Sequence, residues 1–155
     1  MRTIQEWLDA YGVSHQNQTN KLIHWICVPT IMFSLMGLLY CIPPVFAERT
    51  LFVNWAMVAV IFTLLFYLRL SFNIFLGFII IGYLMVSINH NLAQAMGVGG
   101  LFAFSIGLFV VAWIGQFIGH KIEGEKPSFF EDLQFLLIGP AWLLHFIYKK
   151  IGIKY

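Results

Sequence analysis

Histidine is the residue type in this sequence that could support metal chemistry, because imidazole is the most common metal ligand in proteins. The chain carries His15, His24, His90, His120 and His145. Four of the five stand at or just beyond the ends of long apolar stretches, where an ionisable side chain is costly and its default interpretation is functional. A lone histidine of this kind is more often a satisfied polar residue or an interfacial anchor. A metal site therefore requires several of them to converge.

His15 and His24 can share a metal only if the chain bends between them. Nine positions separate them, which on one unbroken helix is about 13 Å along the axis and half a turn around it. Gly12 and the polar stretch 14–20 predict a break in the helix. We therefore predict that the two imidazoles converge across that break.

Asn20 is the second candidate in this stretch, because it lies four positions before His24 and shares its helix face. It would either orient the His24 imidazole as a hydrogen-bond partner or serve only to cap the helix. Asn17 and Thr19 are the other candidates for that cap.

Gln116, His120 and Glu123 form the second half of the predicted site, at spacings of four and three. They share one face if the helix continues past Gly119. His120 as a ligand, with Glu123 as a ligand or a partner, suits iron or another divalent ion. A group of charged residues just beyond is predicted to be a solvated loop: Glu125, Lys126, Glu131 and Asp132.

His90 and His145 are the weaker candidates. His90 follows the third apolar stretch, which puts it on the opposite membrane face from the other candidate ligands, so we keep it only as a further metal candidate. His145 lies in an amphipathic "WLLHFIYKK" segment and is predicted to be structural, at the membrane interface. The sequence has no H-x-x-H-H cluster of the kind found in di-iron enzymes. Dispersed imidazoles favour one metal ion over two.

The composition predicts an integral membrane protein. The chain is 60% hydrophobic and 10% charged, with a mean hydropathy of +0.82, whereas soluble domains carry about 25% charged residues. The 155 residues allow one membrane-embedded domain. A net charge of +2 without a basic stripe gives no indication of nucleic-acid binding. Whether the chain forms a homo-oligomer stays open.

We predict an all-α, polytopic helical bundle of four to five transmembrane or re-entrant helices. Four stretches reach or approach the roughly 20 residues that a span needs, at residues 22–42, 51–68, 72–88 and 98–118. A fifth, at 133–148, is interrupted by Gly139–Pro140 and could be a tilted span, a re-entrant segment or an interfacial helix. Arg69 lies in a short link that predicts a tight hairpin between spans two and three, and the glycine-rich stretch 96–100 marks the turn into span four.

Before the first span, Ile4, Trp7, Leu8 and Tyr11 recur at helical spacing. This predicts an amphipathic helix that lies on the membrane and ends near Gly12. Lys and Arg are concentrated around the N-terminus, the Arg69 link, the 119–132 loop and the C-terminus, which places these segments on the cytoplasmic side. His15, His24 and His120 would then share that side, in an inner or plasma membrane if the protein is bacterial or the endoplasmic reticulum if it is eukaryotic.

Two blocks carry a family resemblance: "YGVSHQNQTNKLIHWICVPTI" and, about ninety residues on, "WIGQFIGHKIEGEKPSFFEDLQFLLIGP". They resemble the 2-hydroxy fatty acid dioxygenases, a family that includes a yeast α-oxidation enzyme and bacterial homologues. The resemblance implies an Fe(II)-dependent dioxygenase that uses O2 to shorten a 2-hydroxy fatty acid by one carbon. It matches His15, His24 and His120 to the family's histidines and Asn20 to its asparagine.

The glutamate departs from that pattern. In the yeast-like sequences it stands four positions after the histidine of Gly-His, whereas here Glu123 stands three after His120 and Glu125 five after. The resemblance therefore assigns no equivalent glutamate. Two other functions stay open from the residues alone: a haem-binding electron carrier with two axial histidines, and a non-catalytic membrane scaffold or transporter.

Overall fold

The computed structural model describes residues 3–45, 47–124 and 135–155. Over these ranges the chain forms five α-helices and no strand, which confirms the all-α prediction for this part of the chain. The helices are α1 (Ile4–Val13), α2 (Gln18–Cys41), α3 (Trp55–Leu70), α4 (Phe72–Glu123) and α5 (Ile138–Ile151).

Two helices in the described ranges are long and apolar enough to cross a membrane, namely α2 with a hydropathy of 1.9 and α4 with 2.1. The apolar helix α3 is shorter, at 16 residues. The predicted spans at 22–42 and 51–68 correspond to α2 and α3, and those at 72–88 and 98–118 both fall within the 52 residues of α4.

Gly97 divides α4 into two arms, residues 72–96 and 98–123. It is the one residue of α4 with non-helical backbone angles, φ 74° and ψ 165°, a conformation that glycine adopts at little cost. The chain reverses direction at Gly97, and the second arm runs antiparallel to α2. Cys41 Sγ, at the end of α2, lies 3.5 Å from the Val98 carbonyl oxygen at the start of the second arm. Asn20, near the start of α2, faces Gly119 near the end of that arm. The predicted turn is thus a single residue, and the first arm extends past Ile88 to Met96.

The predicted hairpin is present, but Arg69 lies in the last turn of α3 and not in the link. The link is the single residue Ser71, which caps α4 by accepting a hydrogen bond from the Ile74 N–H. Tyr67 stacks on Phe78 with 4.2 Å between ring centroids. These contacts hold α3 antiparallel to the first arm of α4.

The remaining two helices, α1 and α5, pack on each other at the end of the bundle where α2 begins. The predicted apolar face of α1 is confirmed, with Ile4, Leu8 and Tyr11 buried. These side chains pack against other helices of the protein: the Tyr11 ring lies against Trp142 of α5, with 5.4 Å between ring centroids. α1 continues one residue past Gly12, to Val13.

The predicted fifth segment corresponds to α5, which as described begins at Ile138; residues 133 and 134 lie outside the described ranges. Pro140 fits because the first turn of a helix has no internal acceptor for its N–H groups. The 14 residues of α5 correspond to about 21 Å of helix, less than the roughly 30 Å of a bilayer core. The N-terminal half of α5 is buried against protein.

Candidate metal centre

Three histidines from three different segments meet at this end of the bundle. His15 follows α1, His24 lies in the second turn of α2, and His120 lies in the last turn of α4. Each offers a ring nitrogen, and these nitrogens all lie within 4.8 Å of one another. Only 1%, 1% and 6% of their respective surfaces are exposed. The predicted convergence across the break at residues 14–17 is therefore present.

His15 is fixed by the last turn of α1. Its Nδ1 lies 2.7 Å from the carbonyl oxygen of Tyr11, and its ring stacks on Tyr11 with 4.2 Å between centroids. A carbonyl oxygen can only accept a hydrogen bond, so Nδ1 must carry the proton. The lone pair of the neutral ring is then on Nε2, which is the atom that could bind a metal.

His24 is fixed in the same way by the first turn of α2. Its Nδ1 donates to the backbone carbonyl oxygen of Asn20 at 3.0 Å. Asn20 thus orients His24 through its main chain. The cap of α2 is Asn17, whose side chain accepts hydrogen bonds from the backbone N–H groups of Thr19 and Asn20.

The histidines of α2 and α4 come together because Gly119 lets the two helices approach closely. A Cβ at this position would collide with Oδ1 of Asn20 and lie 3.3 Å from Cε1 of His24. The rings of His24 and His120 are 5.0 Å apart and nearly perpendicular.

Glu123 ties the end of α4 to the bend between α1 and α2. Its carboxylate accepts hydrogen bonds from the Gln16 N–H at 2.6 Å, the Asn17 N–H at 2.9 Å and Asn20 Nδ2 at 2.9 Å. Asn20 Nδ2 also lies 3.3 Å from the carbonyl oxygen of Ser14. The spacing left two roles open for Glu123, a metal ligand or a hydrogen-bond partner of the residues around the ligands. The hydrogen bonds of its carboxylate are those of a partner. Glu125 lies outside the described residues.

Glu123 follows the apolar part of α4, and its ionisation reflects these contacts. Burial alone would raise the pKa of the carboxyl, but hydrogen bonds from Asn20 and from the two backbone N–H groups, together with the His15 imidazole, hold that pKa below its ordinary value. The carboxylate is therefore charged at neutral pH.

Gln116 lies one turn before His120 on the same face, as predicted, and is 6% exposed. Its Oε1 is buried and accepts no hydrogen bond from the described residues. The side chain lines a cavity of about 20 Å³, beside Tyr11 and Trp113. That volume is enough for about one water-sized molecule.

His90 and His145 lie away from the three converging histidines. His90 Nδ1 is 2.7 Å from the Tyr40 hydroxyl, and Tyr40 lies sixteen positions after His24 on α2, about 24 Å along that helix. The structure therefore does not bring the predicted fourth candidate ligand to the site. His145 lies in α5, where its Nδ1 donates to the carbonyl oxygen of Trp142 at 2.8 Å.

Two aromatic residues of the site were not among the predicted site residues. Tyr11 had been placed only on the apolar face of the N-terminal helix, yet it stacks on His15 and supplies the carbonyl that orients it. Trp142 lies 5.3 Å from the His15 ring. The spacing of four between Tyr11 and His15 could have indicated the first contact, whereas nothing local to Trp142 indicates the second.

The chemistry of this donor set fits a transition metal. Imidazoles bind iron, zinc, copper and nickel, with metal–nitrogen distances of about 2.0–2.1 Å for zinc. The ring nitrogens lie within 4.8 Å of one another, and two such bonds span at most roughly 4.2 Å. Among the described residues three imidazoles converge, and a site with three protein ligands would leave coordination positions open for other molecules, as catalytic zinc sites do.

Comparison with known proteins gives two matches and one absence. A family model described as "2-hydroxy-palmitic acid dioxygenase Mpo1-like" matches residues 1–151. The 2-hydroxy-palmitic acid dioxygenase MPO1 of Saccharomyces cerevisiae is 29% identical over 152 residues, covering 96% of this chain and 82% of the yeast protein. No solved structure matches. The family model covers nearly the whole chain, including all three converging histidines, and the chain therefore belongs to the Mpo1-like family.

Proposed function

We propose that this chain is a membrane-embedded, Fe(II)-dependent dioxygenase that shortens 2-hydroxy fatty acids by one carbon. The observation that carries the proposal is the convergence of His15, His24 and His120 at one buried point. Membership of the Mpo1-like family supports the substrate class, because the yeast relative is named as a 2-hydroxy-palmitic acid dioxygenase.

The surface of the bundle supports the membrane part of the proposal. Large apolar side chains are exposed on α3 and on both arms of α4, among them Phe62 at 68%, Ile80 at 63% and Val111 at 68%. Soluble monomers rarely expose contiguous apolar surface on this scale. Lipid contact with these helices would leave the polar end of the bundle, with the three histidines, at the membrane–water boundary, where a fatty acid presents its head group.

The overall reaction is an oxidative cleavage of the bond between C1 and Cα. One 2-hydroxy acid and one O2 give the acid one carbon shorter, one CO2 and one water. All atoms balance, and the four electrons that O2 accepts come from the substrate, so no external reductant is needed. Bound iron would supply the redox centre for O2 and a template for the hydroxy acid.

The residues of this chain would hold and orient the reactants. Nδ1 of His15 and of His24 donates to a backbone carbonyl oxygen, which would leave Nε2 of each ring to hold the metal. Gln116 would accept a hydrogen bond from the 2-hydroxyl group through Oε1, since it lies one turn before His120 and its Oε1 is buried with no partner among the described residues. Tyr11 and Trp113 would exclude bulk water from the same small cavity.

The packing of the rings argues against the haem alternative. Two axial histidines must lie on opposite faces of a porphyrin plane, whereas the His15 and His24 rings meet edge to face with 4.2 Å between centroids. No macrocycle fits between rings in that contact. A Soret band in the purified protein that is lost when either histidine is replaced by alanine would contradict this argument.

Purification without oxygen, loading with Fe(II) and exposure to O2 and 2-hydroxypalmitate test the proposal. We expect about one iron per chain and equal amounts of pentadecanoic acid and CO2. His24→Ala should lose both the iron and the activity. His90→Ala is the matched control, and it should keep both because Tyr40, the partner of His90, lies about 24 Å from His24 along α2.

Two results would reject the proposal. Protein that binds no transition metal would exclude the metal centre. Protein that binds iron through the three histidines but leaves 2-hydroxy acids of every chain length unchanged would favour a non-catalytic scaffold or transporter.

A further inference from the structure

A second, larger cavity lies in the apolar interior of the bundle; we call it the inner cavity. Its volume is about 380 Å³, within the roughly 300–1,000 Å³ of small-molecule sites. It is lined by α2, α3, the first arm of α4 and residues 136–137, and Thr63 is the one lining residue with a polar side chain. Such a surface gives water too few hydrogen-bond partners and suits a hydrocarbon.

The inner cavity lies next to the small cavity beside Gln116. The small cavity beside Gln116 and the inner cavity share two lining residues, Met32 and Leu136. The two spaces are therefore neighbours on either side of these side chains. Methionine is unbranched and adapts readily to irregular contacts, so movement of the Met32 side chain would connect them.

The inner cavity lies within reach of an acyl chain whose head group is at the histidines. Leu39, at its far end, lies fifteen positions after His24 on α2, which is about 22 Å along the helix. The acyl chains of one membrane leaflet occupy about 15 Å, half of a bilayer core. A fatty acid with its head group at the histidines would therefore reach well into the inner cavity.

We propose that the inner cavity binds the acyl chain of the substrate, and that its far wall, at Leu39 and Ala59, limits the chain length that is accepted. The inference depends on the proposed function only for the identity of the head group. The apolar lining, the shared side chains and the depth carry the placement of the chain.

Ala59→Phe tests the limit on chain length, because it fills the far end of the inner cavity without touching the candidate metal centre. We expect kcat/KM for 2-hydroxypalmitic acid to fall by at least about tenfold relative to 2-hydroxydecanoic acid, comparable to losing the burial of about two methylene groups. Ala103→Phe makes the same change on an exposed part of α4 and should leave the chain-length profile unchanged.

A second measurement does not depend on turnover. Metal-free protein in lipid nanodiscs is irradiated with a 2-hydroxy fatty acid that carries a diazirine at its ω end, and the labelled peptides are identified. We expect labels near Leu39 and Ala59 that unlabelled 2-hydroxypalmitic acid displaces and that Ala59→Phe removes.

The outcomes separate this inference from the proposed function. Displaceable labelling of the inner cavity without any turnover would support the inference and reject the proposed function. Active protein whose chain-length profile is the same in Ala59→Phe and the wild type would overturn the inference. So would labels confined to the lipid-exposed surface, or labels in the inner cavity that only phospholipid displaces.

Discussion

At the scale of single residues, Glu123 acts on the histidines through the backbone. Its carboxylate accepts hydrogen bonds from the N–H groups of Gln16 and Asn17 and from the Asn20 amide. These groups lie between His15 and His24 in the chain. Glu123 therefore fixes the bend that brings the two imidazoles together, and we interpret it as a positioning residue.

Glu123→Gln should weaken metal binding while the chain still folds. A neutral amide has one acceptor oxygen for three donors and turns an NH2 group towards them, so the bend loses its alignment. We expect an affinity loss of roughly 10–100-fold, as for other residues that orient metal ligands. Competition with a fluorescent chelator gives the affinity, and helical circular dichroism reports the fold.

Glu48→Gln is the matched control, because Glu48 is exposed in the link between α2 and α3 and far from the histidines. Equal metal affinity in the Glu123 and Glu48 variants would contradict a positioning role for Glu123.

The convergence of the three histidines was predictable because hydropathy predicts the number of long apolar helices, and an even number of antiparallel helices returns the chain to the same end of a bundle. Among the ring partners, only Tyr11 beside His15 has a local signal in the sequence, their spacing of four. His24 bonds to a backbone carbonyl of Asn20, a group that every residue has, so the side-chain type at position 20 carries no signal for it. The sequence did not identify the cap of α2 either, because Asn17 is one of several neighbouring polar residues that could have served as the cap.

At the scale of helices, the site depends on how closely the start of α2 approaches the end of α4. Gly119 is the point of contact, since a Cβ there would overlap Asn20 Oδ1 and come within 3.3 Å of the His24 ring. Asn20 and His24 are each at most 1% exposed. Neither side chain can therefore move aside without disturbing the packing around it.

Gly119→Ala should therefore push the two helices apart and lower metal affinity. Overpacking a tight contact costs about 1–3 kcal/mol, and here the strain falls on a ligand and its partner. Gly107→Ala is the control in the same arm of α4, because a Cβ there meets no atom within 4 Å. It should keep full affinity and gain slightly in helix stability. Thermal unfolding and metal titration of both variants would test this, and unchanged affinity in Gly119→Ala would show that the contact is not critical.

The helices themselves were largely predictable, and the error in α4 has a local cause. Asn89, His90 and Asn91 suggested that the third span had ended, because polar residues are costly in an apolar helix. In the structure Asn89 Nδ2 donates to the carbonyl oxygens of Met85 at 2.9 Å and Phe33 at 3.3 Å. The bonds of Asn89 to Phe33 and of His90 to Tyr40 reach another helix, and they satisfy polar groups where α4 continues to Met96. The periodicity of a sequence cannot show that a hydrogen-bonding partner will come from another helix.

At the scale of the whole molecule, the bundle has two polar ends that are separated by an apolar middle. The three histidines and Glu123 occupy one end, and His90, Tyr40 and the link containing Glu48 occupy the other. The 24 residues of α2 join them over about 36 Å, slightly more than the roughly 30 Å of a bilayer core. Basic residues are concentrated at the histidine end: Lys21, Arg69, Lys121, Lys149 and Lys150.

This distribution predicts that the histidine end faces the cytoplasm, by the excess of Lys and Arg on that side of membrane proteins. Single cysteines at exposed Gln5 and Glu48, in a chain that also carries Cys27→Ser and Cys41→Ser, would report the two ends. In sealed right-side-out vesicles, we expect a membrane-impermeant maleimide to label Glu48→Cys and to reach Gln5→Cys only after permeabilisation. Inside-out vesicles should give the opposite pattern. Labelling of both cysteines from the same side would contradict a bundle that spans the membrane. A reversed pattern would contradict the predicted orientation, because it would place the histidines on the outer face, away from the cytoplasmic supply of ferrous iron.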